Sequence, residues 1–169
     1  MAKIAIIFGS STGNTEYVAN KVLRAFGEDN AELHNIRDPE AFETLRSADR
    51  LVCCLSTWGA GDMQDDWDER IGDLERIDFS GKRVAIVGLA DQQNYPDTFA
   101  DGVAVLARIV RQNGGMVLGA TSSEGYNFTA SRAEQDGKFI GLVIDEDNQS
   151  DQTDSRIREW VGALKKVLR

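Results

Sequence analysis

Two hydrophobic periods take turns along the chain. Ile4-Ala5-Ile6-Ile7-Phe8 is a continuous apolar run, the pattern of a strand buried on both faces, so Lys3 to Phe8 reads as a first strand. Asn14 to about Phe26 changes period, with Tyr17, Val18, Val22 and Phe26 at helical spacing and Gly27 as a stop signal. A weaker, polar strand over Ala31–Ile36 suits a sheet edge, and Pro39 opens a short helix to about Arg46. Further strands follow over Arg50–Ser56 and Arg83–Leu89, separated by a helix from Asp65 or Asp66 to about Leu74. A helix over Thr98–Asn113, stopped by Gly114-Gly115, leads to a fifth strand over Met116–Thr121. Thr153–Arg169 closes the chain as a helix, with Ile157, Trp160, Val161, Leu164 and Leu168 on one stripe.

Strand and helix in alternation imply an α/β fold, a parallel sheet with helices on both faces. Right-handed crossovers reduce the topologies to a doubly wound three-layer sandwich. Ligands in such sheets bind at the carboxyl ends of strands, so the loops after the first, third and fourth strands converge. Ser122 to Lys138 breaks the rhythm, reading as neither strand nor helix, and Phe139-Ile140-Gly141-Leu142-Val143 resumes an apolar strand. The fifth strand is thus interrupted by an excursion, and loops of that length are usually functional or mobile.

The first of the converging loops is Gly9-Ser10-Ser11-Thr12-Gly13-Asn14-Thr15. Free N–H groups of a first helical turn and the helix dipole favour an anion there. Ser10, Thr12 and Thr15 add hydroxyl donors, and Gly9 and Gly13 let the backbone curl. No Lys or Arg lies between Ile4 and Asn20, and neither G-x-x-x-x-G-K-[ST] nor G-x-G-x-x-G is present. A monophosphate is the ligand that remains; the plain alternative is a strand-to-helix turn capped by Ser and Thr.

Composition narrows the setting. The 169 residues, 41% hydrophobic with only 2 prolines, suit a single domain over 1–169. No membrane span or signal peptide is visible, and adjacent Cys53 and Cys54 make no disulfide framework, so a cytoplasmic location is expected. A net charge of −9 argues against nucleic acid and anionic membranes. It permits steering toward a basic protein, or serves solubility alone.

The other two loops carry aromatics. Trp58 stands among glycines in Ser56-Thr57-Trp58-Gly59-Ala60-Gly61, and Tyr95 follows Ala90-Asp91 after the fourth strand. Each ring has a bland reading, as a sheet-edge cover or a turn. Together with a phosphate loop they suggest a phosphate-bearing planar cofactor held between two rings, with Asp91 and backbone groups at its edge.

On these segments the chain resembles the flavodoxins of the long-chain group, carriers of flavin mononucleotide (FMN). The resemblance covers essentially the whole sequence, with Ser122 to Lys138 as the group's insertion, about 122–138. It implies a five-stranded parallel sheet of order 2-1-3-4-5. It implies FMN contacts from Ser10, Ser11, Thr12, Gly13, Asn14 and Thr15, and from Ser56, Thr57, Trp58, Gly59, Ala60 and Gly61. Leu89, Ala90, Asp91, Tyr95 and Asp147 complete the set, with Ala90 standing where a Gly is usual. The implied function is low-potential one-electron transfer, with no catalysis on the protein, between neutral semiquinone and anionic hydroquinone. A Gly59–Ala60 peptide flip would serve the semiquinone's N5 proton. Asp62, Asp65, Asp66, Asp91, Asp97, Asp145, Glu146 and Asp147, on or near the binding edge, would resist the second electron. Implied partners of the monomer are an NADP-dependent flavodoxin/ferredoxin reductase and low-potential acceptor enzymes, docking on the acidic face.

The competing reading is an FMN-dependent quinone or nitro reductase; a cofactor-free interaction module is a third. His34 on a polar strand offers no catalytic group. Asp145 to Arg156 fails as a calcium loop, because Ser150 replaces the turn glycine and Arg156 the closing glutamate.

Overall fold

The computed structural model describes residues 2–168. Strands β1 (Ile4–Phe8), β2 (Ala31–Asn35), β3 (Arg50–Trp58) and β5 (Arg83–Leu89) pair side by side and parallel in the order β2-β1-β3-β5. The last position is shared. Strand β6 (Met116–Leu118) pairs with Arg83–Ala85, and β10 (Leu142–Ile144) pairs with Val87–Leu89 further along the same edge. This is the 2-1-3-4-5 order with an interrupted fifth strand.

Alternation along the buried strands builds two cores. Ala5 and Ile7 of β1, Leu51, Cys53 and Leu55 of β3, and Val84 and Ile86 of β5 face one side. There they meet α2 (Pro39–Ser47) through Phe42 and Leu45, and α5 (Asp101–Gln112) through Val103, Leu106 and Val110. Ile4, Ile6, Phe8, Val52, Cys54, Ala85 and Val87 face the other side. They pack on α1 (Asn14–Phe26) and α6 (Thr153–Val167). Each fully buried aliphatic side chain contributes roughly 1.5–3 kcal/mol, and the polar mouth at the strand ends rests on that frame. Burial pushes the Cys53 thiol up to about 12, so it is a core residue and no nucleophile.

Several elements differ from the sequence reading: β3 runs past Ser56 to Trp58, and the strand expected over Met116–Thr121 stops at Leu118. The helix expected from Asp65 or Asp66 to Leu74 is two short helices, α3 (Asp65–Asp68) and α4 (Ile71–Leu74). Trp67 is drawn wholly inside, its Nε1 donating to the Cys54 carbonyl at 3.0 Å, and that anchor overrides a continuous helix. Helix α5 starts at Asp101, not Thr98, because Ala100 is left-handed at φ 57 and the Phe99 N–H goes to Ala130 O instead. The 122–138 excursion is not structureless. Strands β7 (Thr121–Ser122), β8 (Glu134–Gln135) and β9 (Lys138–Phe139) form a small antiparallel sheet. Phe139, expected to open the resumed strand, belongs there, in a ring cluster with Phe99, Tyr126 and Phe128. Arg169, the expected end of the last helix, lies outside the described residues. Among the described residues no helix is long and apolar enough to cross a membrane.

Candidate functional site

At the carboxyl end of β1 the chain turns into α1 without any side-chain cap on the helix. The first-turn N–H groups therefore lack intrahelical and capping partners, and they carry the positive end of the helix dipole. Ser10 Oγ accepts from Gly13 N at 3.0 Å and closes the loop on itself. Ser11, Thr12, Asn14 and Thr15 line one end of a cavity of about 450 Å³, within the size range of small-molecule sites.

The opposite walls come from the two aromatic loops. The end of β3 folds back as a hairpin, with Trp58 opposite Asp62 of β4 (Asp62–Met63). Gly59 to Gly61 form its tip, where Gly61 N donates to Trp58 O at 3.1 Å. Trp58 stays 41% exposed, its indole steered by a 2.6 Å hydrogen bond from Nε1 to Ser56 Oγ. Thr57 Oγ1 accepts from Gly102 N at 3.0 Å, tying the hairpin to the start of α5. Tyr95, 52% exposed, stands on the loop after β5. Two exposed large rings lining one cavity mark a ligand or partner face.

Comparison with known proteins agrees with this geometry. The sequence profile of the family described as Flavodoxin matches residues 6–160. A flavodoxin from Picosynechococcus sp. is 43% identical over 166 residues, covering 98% of this chain and 97% of that one. One from Helicobacter pylori is 44% identical over 165 residues, covering 98% of each. The chain belongs to the flavodoxin family. A solved Fusobacterium nucleatum flavodoxin bound to flavin mononucleotide superposes with a TM-score of 0.94 at 31% identity, covering 100% of both chains. Flavodoxins are electron-transfer proteins, and that role requires redox partners.

Against the flavodoxin pattern each expected residue can be placed. Ser56, Thr57, Trp58, Gly59, Leu89, Ala90, Asp91, Tyr95 and Asp147 line the cavity with the four phosphate-loop residues. Ser10, Gly13, Ala60 and Gly61 shape the same loops without lining it. Ala90 replaces the usual Gly without strain, since it is not among the positive-φ residues.

Asp91, expected at the ring edge, lines the cavity and also holds its own loop. Its Oδ1 accepts from Gln93 N, Asn94 N and Asn148 Nδ2, and its Oδ2 from Asn94 Nδ2, at 2.7–3.0 Å. Three donors crowd Oδ1 and one reaches Oδ2, so the side chain shapes the Tyr95 loop and Oδ2 keeps room for a further donor. Burial pushes the Asp91 carboxyl up, but these hydrogen bonds outweigh it and hold the group below the ordinary carboxylate range.

Asp145, expected at the acidic edge, is fully buried. It accepts from Gln92 N at 3.0 Å, Gln92 Nε2 at 2.8 Å and Asn148 N at 3.0 Å. Gln92 Oε1 in turn accepts from Asn127 N at 2.6 Å. One carboxylate thereby ties the Tyr95 loop, the segment before α6 and the insertion together. Asp91, Asp145 and Asp147 hold carboxylate oxygens within 4.8 Å of one another, with the Asn148 amide donating to the first two. Burial first, then the charges of Asp91, Asp145 and Glu146, raise the Asp147 carboxyl above its usual range.

Glu146 also lines the cavity, and sequence reasoning placed it only among the surrounding acids. Its position follows from β10 ending at Ile144, one register step beyond which the chain crosses the cavity mouth.

Proposed function

We propose that the cavity holds FMN and that the protein shuttles single electrons at low potential. The carrying observation is the polarity of the cavity: uncapped helix N–H groups and hydroxyls at one end, two exposed rings at the other. These residues fit a phosphate-tailed flavin, and among the described residues no Lys or Arg lines the cavity. The phosphate would be held by Ser11, Thr12, Asn14 and Thr15, by helix N–H groups, and by Ser10 and Gly13 through the loop's closure. Trp58 and Tyr95 would cover the ring faces. Ser56, Thr57, Gly59, Ala60, Gly61, Leu89, Ala90, Asp91 and Asp147 would supply the edge contacts and the turns that carry them.

Bound FMN supplies reversible one-electron chemistry; the chain supplies binding and electrostatics. Gly59 sits at the hairpin tip with φ +53 and open space where a Cβ would be, so the Gly59–Ala60 peptide is free to turn its carbonyl toward the ring. Glu146 and Asp147 place negative charge at the mouth and oppose further electron uptake.

The acidic rim around Trp58, with Asp62, Asp65, Asp66 and Tyr95, suits basic surfaces of an NADP-dependent flavodoxin/ferredoxin reductase and of low-potential acceptor enzymes. A single domain acting as a cytoplasmic monomer fits this use. The test is reconstitution. Apoprotein should take up one FMN per chain and should not oxidise NAD(P)H unless a reductase is added. Direct NAD(P)H oxidation would favour the quinone or nitro reductase reading, and failure to bind FMN would leave an interaction module.

A further inference from the structure

Gln64 is 1% exposed and lies beneath the phosphate loop, at the junction of the Trp58 hairpin and α3. Its backbone N–H donates to Ser56 O at 2.9 Å, and its carbonyl accepts from Trp67 N and Asp68 N at 3.0 Å. Its side chain crosses to the other loop. Nε2 donates to Ser11 Oγ at 2.9 Å and to Asp66 Oδ2 at 3.0 Å.

The two acceptors fix the direction of the amide. A carboxylate cannot donate, so the NH₂ end must face Asp66, and the same end then meets Ser11. The opposite end pays for it: Oε1 is buried with no hydrogen-bond partner. Buried polar atoms left unpaired are rare and need a reason. The site is also built around this side chain. A Cβ on Gly9 would lie 2.5 Å from Oε1 and 2.9 Å from Trp67 Cδ1, so only glycine leaves room for it.

The reason lies at Ser11. Its Oγ already accepts from Gln64, and no protein acceptor takes its own hydrogen among the described residues. A hydroxyl loaded in this way keeps its proton for the cavity that Ser11 lines. We infer that Gln64 is a positioning residue for phosphate recognition, which sets Ser11 as a hydrogen-bond donor and locks the phosphate loop to the Trp58 hairpin. This rests on the FMN reading above.

Riboflavin separates the two ideas, because it keeps the ring and lacks the phosphate. Binding of FMN and of riboflavin to apoprotein is measured by quenching of flavin fluorescence, in the wild type, Gln64→Met, Gln64→Glu, Ser11→Ala and the Ser11→Ala/Gln64→Met double variant. Gln64→Met keeps the volume and removes the donor. It should weaken FMN about tenfold, the value of one hydrogen bond to a charged group, and leave riboflavin within about twofold. Gln64→Glu keeps the shape; beside Asp66 and buried it holds its proton at low pH and, once ionised, presents only acceptors and turns the Ser11 proton inward, so its loss should grow with rising pH and again be confined to FMN. In the Ser11→Ala background, Gln64→Met should have no further effect. Equal losses for both flavins, an unchanged FMN-to-riboflavin ratio in either variant, or additive effects with Ser11→Ala would overturn the inference while leaving the FMN reading intact. A wild type that binds riboflavin as tightly as FMN would overturn both.

Discussion

The hairpin tip offers a paired test of how the flavin-facing loop is held. Gly59 and Gly61 both have positive φ, at +53 and +102. At either, an L side chain costs about 1–2 kcal/mol of backbone strain. They differ in what surrounds them. A Cβ at Gly59 meets nothing within 4 Å, whereas one at Gly61 would lie 2.9 Å from Asp101 Oδ2 and 3.0 Å from Asp101 Cβ. Asp101 cannot give way easily, because it is buried and its Oδ1 accepts from Arg132 N at 2.7 Å. Overpacking of that kind adds about 1–3 kcal/mol. Gly59→Ala should therefore destabilise the apoprotein by about 1–2 kcal/mol and Gly61→Ala by about 2–5 kcal/mol. Urea denaturation measures both, with unchanged m-values. Gly61→Ala should also cost more FMN affinity, since the displaced tip carries Trp58. Equal destabilisation by the two variants, or a larger effect at Gly59, would refute the reasoning.

Other consequences are as direct. Asp145→Asn leaves at least one buried donor unpaired and weakens the remaining bonds, so urea denaturation should show a loss of about 2 kcal/mol, after partial relief from Asp91 and Asp147; a stabilised variant would contradict the network. Asp147 has its carboxyl raised on folding, so its ionisation costs stability as pH rises above its unfolded value. Asp147→Asn should accordingly stabilise the apoprotein at neutral pH, and thermal melts should show the gain vanish below the ordinary value of 3.8. Glu146→Gln should raise the potential for uptake of the second electron by roughly 20–40 mV, for a charge ~10 Å away at an effective dielectric of about 40–80. An unchanged or lowered potential in spectroelectrochemistry would show that the Glu146 charge does not act on the cofactor.

Much of this was legible along the chain because it is local. A buried strand writes itself as an apolar run, and a strand–hydroxyl loop–helix sequence can only place donors at a helix start. Trp58 and Tyr95 stood out because large rings in polar loops lack a local core. The remainder depends on partners distant in sequence. Trp67 broke the expected third helix through a bond to Cys54 O, 13 residues away. Asp145 looked like one surface acid among several, yet Gln92, 53 residues earlier, makes it an interior anchor. The insertion concealed its strands because two-residue pairings such as Thr121–Ser122 with Lys138–Phe139 are too short to set a period. Gln64 carried no signal of its own. Its meaning comes from Ser11, 53 residues away, and from the space left at Gly9.

In this cavity a two-electron cofactor becomes a carrier of single electrons. An anaerobic reductive titration of the FMN-reconstituted protein, followed by absorbance and potential, tests it most directly. Two resolved one-electron stages are expected, the second at markedly lower potential, with no reduction by NAD(P)H alone. A single unresolved two-electron reduction, driven by NAD(P)H without a reductase, would contradict it.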